Sequence, residues 1–318
     1  DADVTIARVD QLAEISLRHR IPTTLSPLFV NTENDSGVKR VMERVKEQFK
    51  RGARVWPQIQ TRPIDISFCF EVPSLLFIRL PSWYKIMRFG THTEIMEAFK
   101  DEKKRAKLVQ EASMLGPFWN SITLRQVNNE ENRKYLGLSL GEIASKRNTT
   151  PVEAMIDLSL EESLQAHFLA ANMGHTDNDM IGELLSDPHV HVGASDGGAH
   201  ILSFSTYGDT GYLFSQFVRK SRAISLEDAV KKITLDTASI WGMKQRGCLK
   251  EGFLADVTIF EEDKIDRGKE YYTDDVPGDG HRYVRDAIGI DTVIIGGSIA
   301  YRKGSYTNAT TGNIVSVG

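Results

Sequence analysis

The feature that most constrains this chain is an alternation of strand and helix patterns that begins at once, breaks off, and later resumes. Residues 1–20 place Val9, Leu12, Ala13, Ile15 and Ser16 at helical spacing. Pro22–Val30 reads as a strand with Pro22 at its start. Asn34-Asp35-Ser36 then offers an N-cap for an amphipathic helix through about Lys50, with Val38, Val41, Met42, Val45 and Phe49 on one face. Gly52 stops it, and Arg54–Thr61 is the next strand. Such alternation predicts parallel βα units.

Residues 63–164 break the rhythm. Apolar and aromatic patches mix with a charged helix around Glu94–Glu111 and two short helices near Leu138 and Thr150. Thr150 and Glu153 have capping-box spacing, with Pro151 at the first helical position. This segment reads as a mostly helical insertion over the end of a barrel, plus the helix that returns to the sheet. The alternation resumes with a strand over Gln165–Asn172, a helix from Asp177 to about Leu185, a strand over His189–Ala194 and a helix over Leu226–Trp241. From Gly247 the texture becomes Gly-punctuated and β-branched, which predicts a small all-β unit with its boundary near residue 245.

Composition narrows the function classes. A formal net charge of -4 over 318 residues leaves no nucleic-acid footprint. No apolar run approaches the roughly 20 residues of a membrane span. Cys69 and Cys248 are far apart and have neither metal-ligand nor redox spacing, which suits a reducing cytoplasm. Residue 1 is Asp, so the expectation is a chain that begins inside a longer gene product.

The chemistry concentrates in Val190–His200, a short strand ending in Asp196, the glycines Gly197 and Gly198, and His200. A carboxylate at a strand tip is rarely buried unless paired or bound to a metal, and paired glycines let backbone approach a ligand. A turn Asp with an exposed His is the competing reading.

The run "LLSDPHVHVGASDGGAH" resembles the eighth strand of the D-aminoacylase, or N-acyl-D-amino-acid deacylase, branch of the amidohydrolase superfamily. "LEDAVKKITLDTASIWGMKQRGCLKEGFLADVTIFEEDKI" resembles that family's last barrel helix and its re-entry into a β-sandwich. "VIIGGSIAYRKGSYTNATTGNIV" resembles its closing strands. The resemblance is strong over roughly 175–318, rests on element order over 1–62, and is thin over 63–164. It implies a metal-dependent (β/α)8 TIM barrel, with active-site residues at the strand C-termini, plus a small β-sandwich. It further implies amide hydrolysis by a zinc-activated water.

Counting elements makes the strands ending near Val30, Thr61, Asn172 and Ala194 strands five to eight. The expectation is therefore the C-terminal half of a barrel over 1–245, with the insertion at about 63–164, and part of a composite sandwich over 246–318. Half a barrel leaves open edges, so the front half is expected from the N-terminal part of the same protein or from a second chain. The family's first-strand His-x-His pair is absent, and His189-Val190-His191 precedes the strand-eight Asp and is not a substitute.

Asp196 is the expected general base and a metal ligand, passing a proton from water to the leaving nitrogen. One zinc ion is expected, its other ligands lying outside this chain, because the tips near Ser26 and Gln60 carry no His, Asp, Glu or Cys. His200, His175, Gly197, Gly198 and Tyr207 are expected to contact a small-molecule substrate. Arg62, beside Gln58 and Gln60, is expected to bind an acidic group of it. His167 and Cys69 read as packed. A homo-oligomer fits this reading, whereas nucleic-acid and membrane partners do not. The alternative class is an amidohydrolase-like subunit without catalysis that binds a small ligand or supports assembly.

Overall fold

The apolar stripes of the first fifty residues form the elements that their spacing predicts, as helix α1 (Ala2–His19), strand β1 (Thr23–Leu25) and helix α2 (Asp35–Lys50). The computed structural model describes residues 2–30, 35–193, 208–278 and 280–315. Strands β2 (Val55–Ile59) and β3 (Ile66–Phe68) follow, then helices α3 (Pro81–Phe89), α4 (His92–Lys100) and α5 (Glu102–Ser113). Next come β4 (Thr123–Gln126), α6 (Leu140–Arg147), α7 (Pro151–Glu161), β5 (His167–Ala170), α8 (Asn178–Ser186) and β6 (His191–Val192). Helix α9 (Asp209–Tyr212) runs into a π-helical segment, Leu213–Lys220. Helix α10 (Leu226–Lys231) runs through a second, Lys232–Asp236, into α11 (Thr237–Ile240). The chain closes with β7 (Val257–Phe260), β8 (Asp266–Val276), β9 (Gly280–Ile288), β10 (Ile290–Ile295), β11 (Ser298–Arg302) and β12 (Ser305–Tyr306).

Strands β1, β2 and β6 form a parallel sheet in that order. Helices α1, α2 and α8 and the first π-helical segment cover it, burying Val9, Val45, Val55, Ile59, Ile181, Leu185 and Phe217 in one core. The helix predicted over 226–241 is interrupted. Thr234 and Thr237 donate their hydroxyls to the carbonyls of Val230 and Lys232 at 2.6 and 2.9 Å, which widens the turn. Lys232 is buried, and its ammonium donates to the carbonyls of Asp187 and Val190 at the foot of β6.

The strand counted as seventh differs from the expectation. In the described structure β5 does not lie between β2 and β6. It is the middle strand of an antiparallel sheet, flanked by β3 and β4. All four of its residues are buried, and such a run fits any central strand, parallel or antiparallel. The insertion therefore carries a sheet as well as helices. Its core is aromatic, with Phe68, Phe70, Phe77, Trp83, Phe99, Trp119 and Phe168 in contact. The two indole N–H groups are satisfied by the carbonyls of Leu108 and Ala112. The predicted capping box at Thr150 and Glu153 forms, with Pro151 in the first turn.

Strands β7, β10, β11 and β12 form one antiparallel sheet, and β8 and β9 form a hairpin that sequence reading missed. The hairpin docks on the insertion through buried charge. Arg285 reaches Asp65 and Glu270 at 3.5 and 3.3 Å, and Ser67 donates to Glu270. Tyr283 contacts His167 through its hydroxyl. Among the described residues no helix is long and apolar enough to cross a membrane.

His167 is 3% exposed, and burial pushes its pKa down to about 4 from an unfolded value of 6.5. Only the neutral form is accommodated, so its contribution is complete above about pH 6.5 and is lost as pH falls toward 4. Urea denaturation should show roughly 3 kcal/mol of acid destabilisation from this residue, removed in His167→Gln. Equal pH dependence in both proteins contradicts this assignment.

Candidate functional site at the strand C-termini

The C-terminal edge of the parallel sheet is held together by side chains of its own tips. Beyond the strands, Leu28 N–H donates to the Gln58 carbonyl and Gly193 N–H to the Ile59 carbonyl, both at 2.8 Å. Glycine is required at 193, because a Cβ there would stand 2.8 Å from the Gln58 Cβ.

His175 joins the first two tips. Its Nδ1 accepts from Val30 N–H at 3.2 Å, and its Nε2 lies 2.6 Å from the Gln60 carbonyl. The first bond makes Nδ1 an acceptor, so the proton sits on Nε2 and is donated to Gln60. Burial keeps the pKa below the ordinary histidine value; the bond to Gln60 opposes this and the charge of Arg62 adds to it. The backbone of His175 stands at φ 59, a left-handed conformation uncommon for a non-glycine residue.

Arg62 is 2% exposed and ion-paired. Its Nε donates to Asp209 Oδ2 at 3.1 Å, and its Nη1 donates to the Pro63 carbonyl. Thr61 adds a hydroxyl bond to the Asp209 carbonyl at 2.7 Å. Burial raises the Asp209 pKa, against the opposing charge and hydrogen bond of Arg62. Arg62 thus serves an internal carboxylate, whereas the sequence pointed to an acidic substrate group. Gln60 Oε1 is buried and makes no hydrogen bond to any described residue.

Asp196, Gly197, Gly198, His200 and Tyr207 lie outside the described residues. The segment that carries them leaves from Gly193 and returns at Gly208 and Asp209, and both ends bond to the C-terminal end of β2. Sequence reading missed Asp209, for which a Gly-Asp pair opening a helix was the one available signal. His189 pairs with Asp187 at 2.9 Å, and Cys69 is buried with its thiol pushed up to about 11.

The described strand tips do not fit a metal ion. They present Gln60, Thr61 and Arg62, and both ring nitrogens of His175 are engaged in the fold. Among the described residues no group of three or more His, Cys, Asp or Glu is arranged to hold one.

Breaking the Arg62–Asp209 pair strands a buried charge. Asp209→Ala should cost about 3–5 kcal/mol by urea denaturation, and the Arg62→Met, Asp209→Leu double variant should recover most of it. A loss below about 1 kcal/mol in Asp209→Ala would mean the pair is not buried in solution.

The sequence profile described as "Amidohydrolase family" matches residues 118–301, more than half of the chain. The uncharacterized proteins Rv2913c of Mycobacterium tuberculosis and Mb2937c of Mycobacterium bovis are each 28% identical over 186 residues, or 55% of this chain. That match spans only 30% of each relative's length. Among solved structures, D-aminoacylase aligns at a TM-score of 0.54 and 16% identity, covering 98% of this chain and 53% of that one. N-acyl-D-glutamate deacylase from Bordetella bronchiseptica, complexed with zinc and a phosphonate inhibitor, aligns at 0.52 and 18%, covering 94% and 51%. The chain thus spans about half of the proteins whose fold it shares. With the profile match covering more than half of its residues, the chain belongs to the amidohydrolase family.

Proposed function

We propose that the complete protein is a metal-dependent amidohydrolase cleaving an amide bond of an N-acyl-D-amino acid or a related amide. In this reading residues 1–245 carry the C-terminal half of the barrel and 246–318 part of a sandwich. The remaining strands come from another part of the same protein or from a second chain. The observation that carries the reading is the bonding of Gly193 and Asp209, which flank the Asp196 segment in sequence, to the end of β2, at the edge where barrel enzymes place their chemistry. The similar structures support it, one being a deacylase complexed with zinc and another D-aminoacylase with its binuclear metal centre.

Asp196 is the proposed general base, taking a proton from the attacking water and returning it to the leaving nitrogen. Zinc, when bound, would bring the pKa of that water to roughly 7, within reach of a carboxylate base. Asp196 is the ligand assigned to this chain, and the other ligands lie outside these residues. Gln60, whose side-chain oxygen bonds to no described residue, is the proposed acceptor for a substrate N–H. Arg62 and His175 keep the edge rigid, and His200, Gly197, Gly198 and Tyr207 complete the substrate side of the site.

A second reading is a family member without catalysis that binds a small ligand. It draws support from His175, whose ring nitrogens serve the fold. Assaying the complete protein against a panel of N-acyl-D-amino acids separates the two. Hydrolysis should fall by about 10³-fold in Asp196→Asn with the melting temperature unchanged. Activity within a few-fold of wild type in that variant contradicts the assigned base. No hydrolysis by the wild type alongside retained ligand binding supports the second reading.

A further inference from the structure

A polar cavity of about 370 Å³ opens where the β8–β9 hairpin crosses the insertion sheet, at the end of β5 opposite to His175. That volume lies at the lower end of small-molecule sites. Three rings line it. The Tyr272 ring lies 4.2 Å from the ring of His167 and stacks on His281 at 5.3 Å with 18° between the planes.

A directed chain of polar side chains lines the same space. Asn128 Nδ2 donates to Gln165 Oε1 at 2.8 Å, and Gln165 Nε2 donates to Glu71 Oε1 at 3.1 Å. Both donors point the same way, which leaves Asn128 Oδ1 and the second Glu71 oxygen as acceptors. His167 supplies a donor. The Tyr283 hydroxyl is buried and bonds to His167 Nδ1, its one partner among the described residues. Satisfying that phenol makes it donate to Nδ1, so the histidine proton sits on Nε2, which bonds to no described residue.

The lining decides the class of ligand. Glu71 and Asp274 are its carboxylates, and no lysine or arginine is among the described lining residues, which disfavours an anion. A metal ion lacks a three-ligand group among the described residues. Interleaved donors and acceptors beside stacked rings match a ring that offers hydroxyls at its rim and C–H groups on its face. We propose that this cavity binds a neutral polyhydroxylated ring, a pyranose sugar, at a site separate from the strand tips.

Saturation-transfer NMR on the complete protein tests this with methyl β-D-glucopyranoside, methyl β-D-galactopyranoside and methyl α-D-mannopyranoside, none of which carries an amide. At least one should bind saturably, about tenfold more weakly in Glu71→Gln and in His281→Ala. Both residues are exposed, so both variants should melt as the wild type does. The proposal is overturned by no saturable binding of any glycoside, or by binding that neither substitution changes. Binding of D-glutamate in their place, lost in Glu71→Gln, overturns it as well.

Discussion

The C-terminal end of β2 is where this structure is tied together. Within four residues, Ile59, Gln60, Thr61 and Arg62 accept from Gly193, receive the proton of His175, and hold Asp209 twice. Those contacts join both neighbouring strand tips and both ends of the segment between Gly193 and Gly208. Two of them use buried polar groups, which cost free energy unless fully paired. Their value is geometric: Arg62 and Asp209 fix a distance, and neutral His175 fixes the spacing of two backbones. A site for charged chemistry needs such a frame, because reacting groups must be held to within a fraction of an ångström.

A second body of structure leans on that frame. The insertion has its own aromatic core, and the β8–β9 hairpin is fastened to it by Asp65, Glu270 and Arg285. Asp65 also accepts from Asn172 N–H at the end of β5. Arg267, on the same hairpin, lies over the Tyr212 ring at 4.6 Å, and Gly208 packs on its stem. The hairpin thereby touches the insertion on one side and, on the other, the helix that follows the Asp196 segment. The cavity that we assign to a sugar ring sits between the hairpin and the insertion, away from the strand tips.

Much of this was legible in the residues. Helical spacing placed α1 and α2, the Thr176-Asp177 cap placed α8, the Thr150–Glu153 capping box placed α7, and the strand-to-glycine run pointed to the family that the profile match then showed. What sequence could not reveal was partnership at a distance. Periodicity marks His167–Ala170 as a buried strand and says nothing of which strands flank it, so β5 was assigned to the parallel sheet. Arg62 looked available for an acidic ligand because its partner, Asp209, is 147 residues away in the chain. His175 looked like a ligand contact because a buried, neutral, doubly bonded histidine and a catalytic one read alike in sequence. The β8–β9 hairpin escaped notice because charged and aromatic residues alternate in it without a clear apolar face.

The central proposal is that Asp196 binds a metal whose other ligands come from outside these residues. Metal analysis of the complete protein by plasma mass spectrometry tests it most directly. The account predicts about one zinc per barrel in the wild type and a marked loss in folded Asp196→Asn. No bound metal in the folded wild type, or full occupancy in Asp196→Asn, contradicts it.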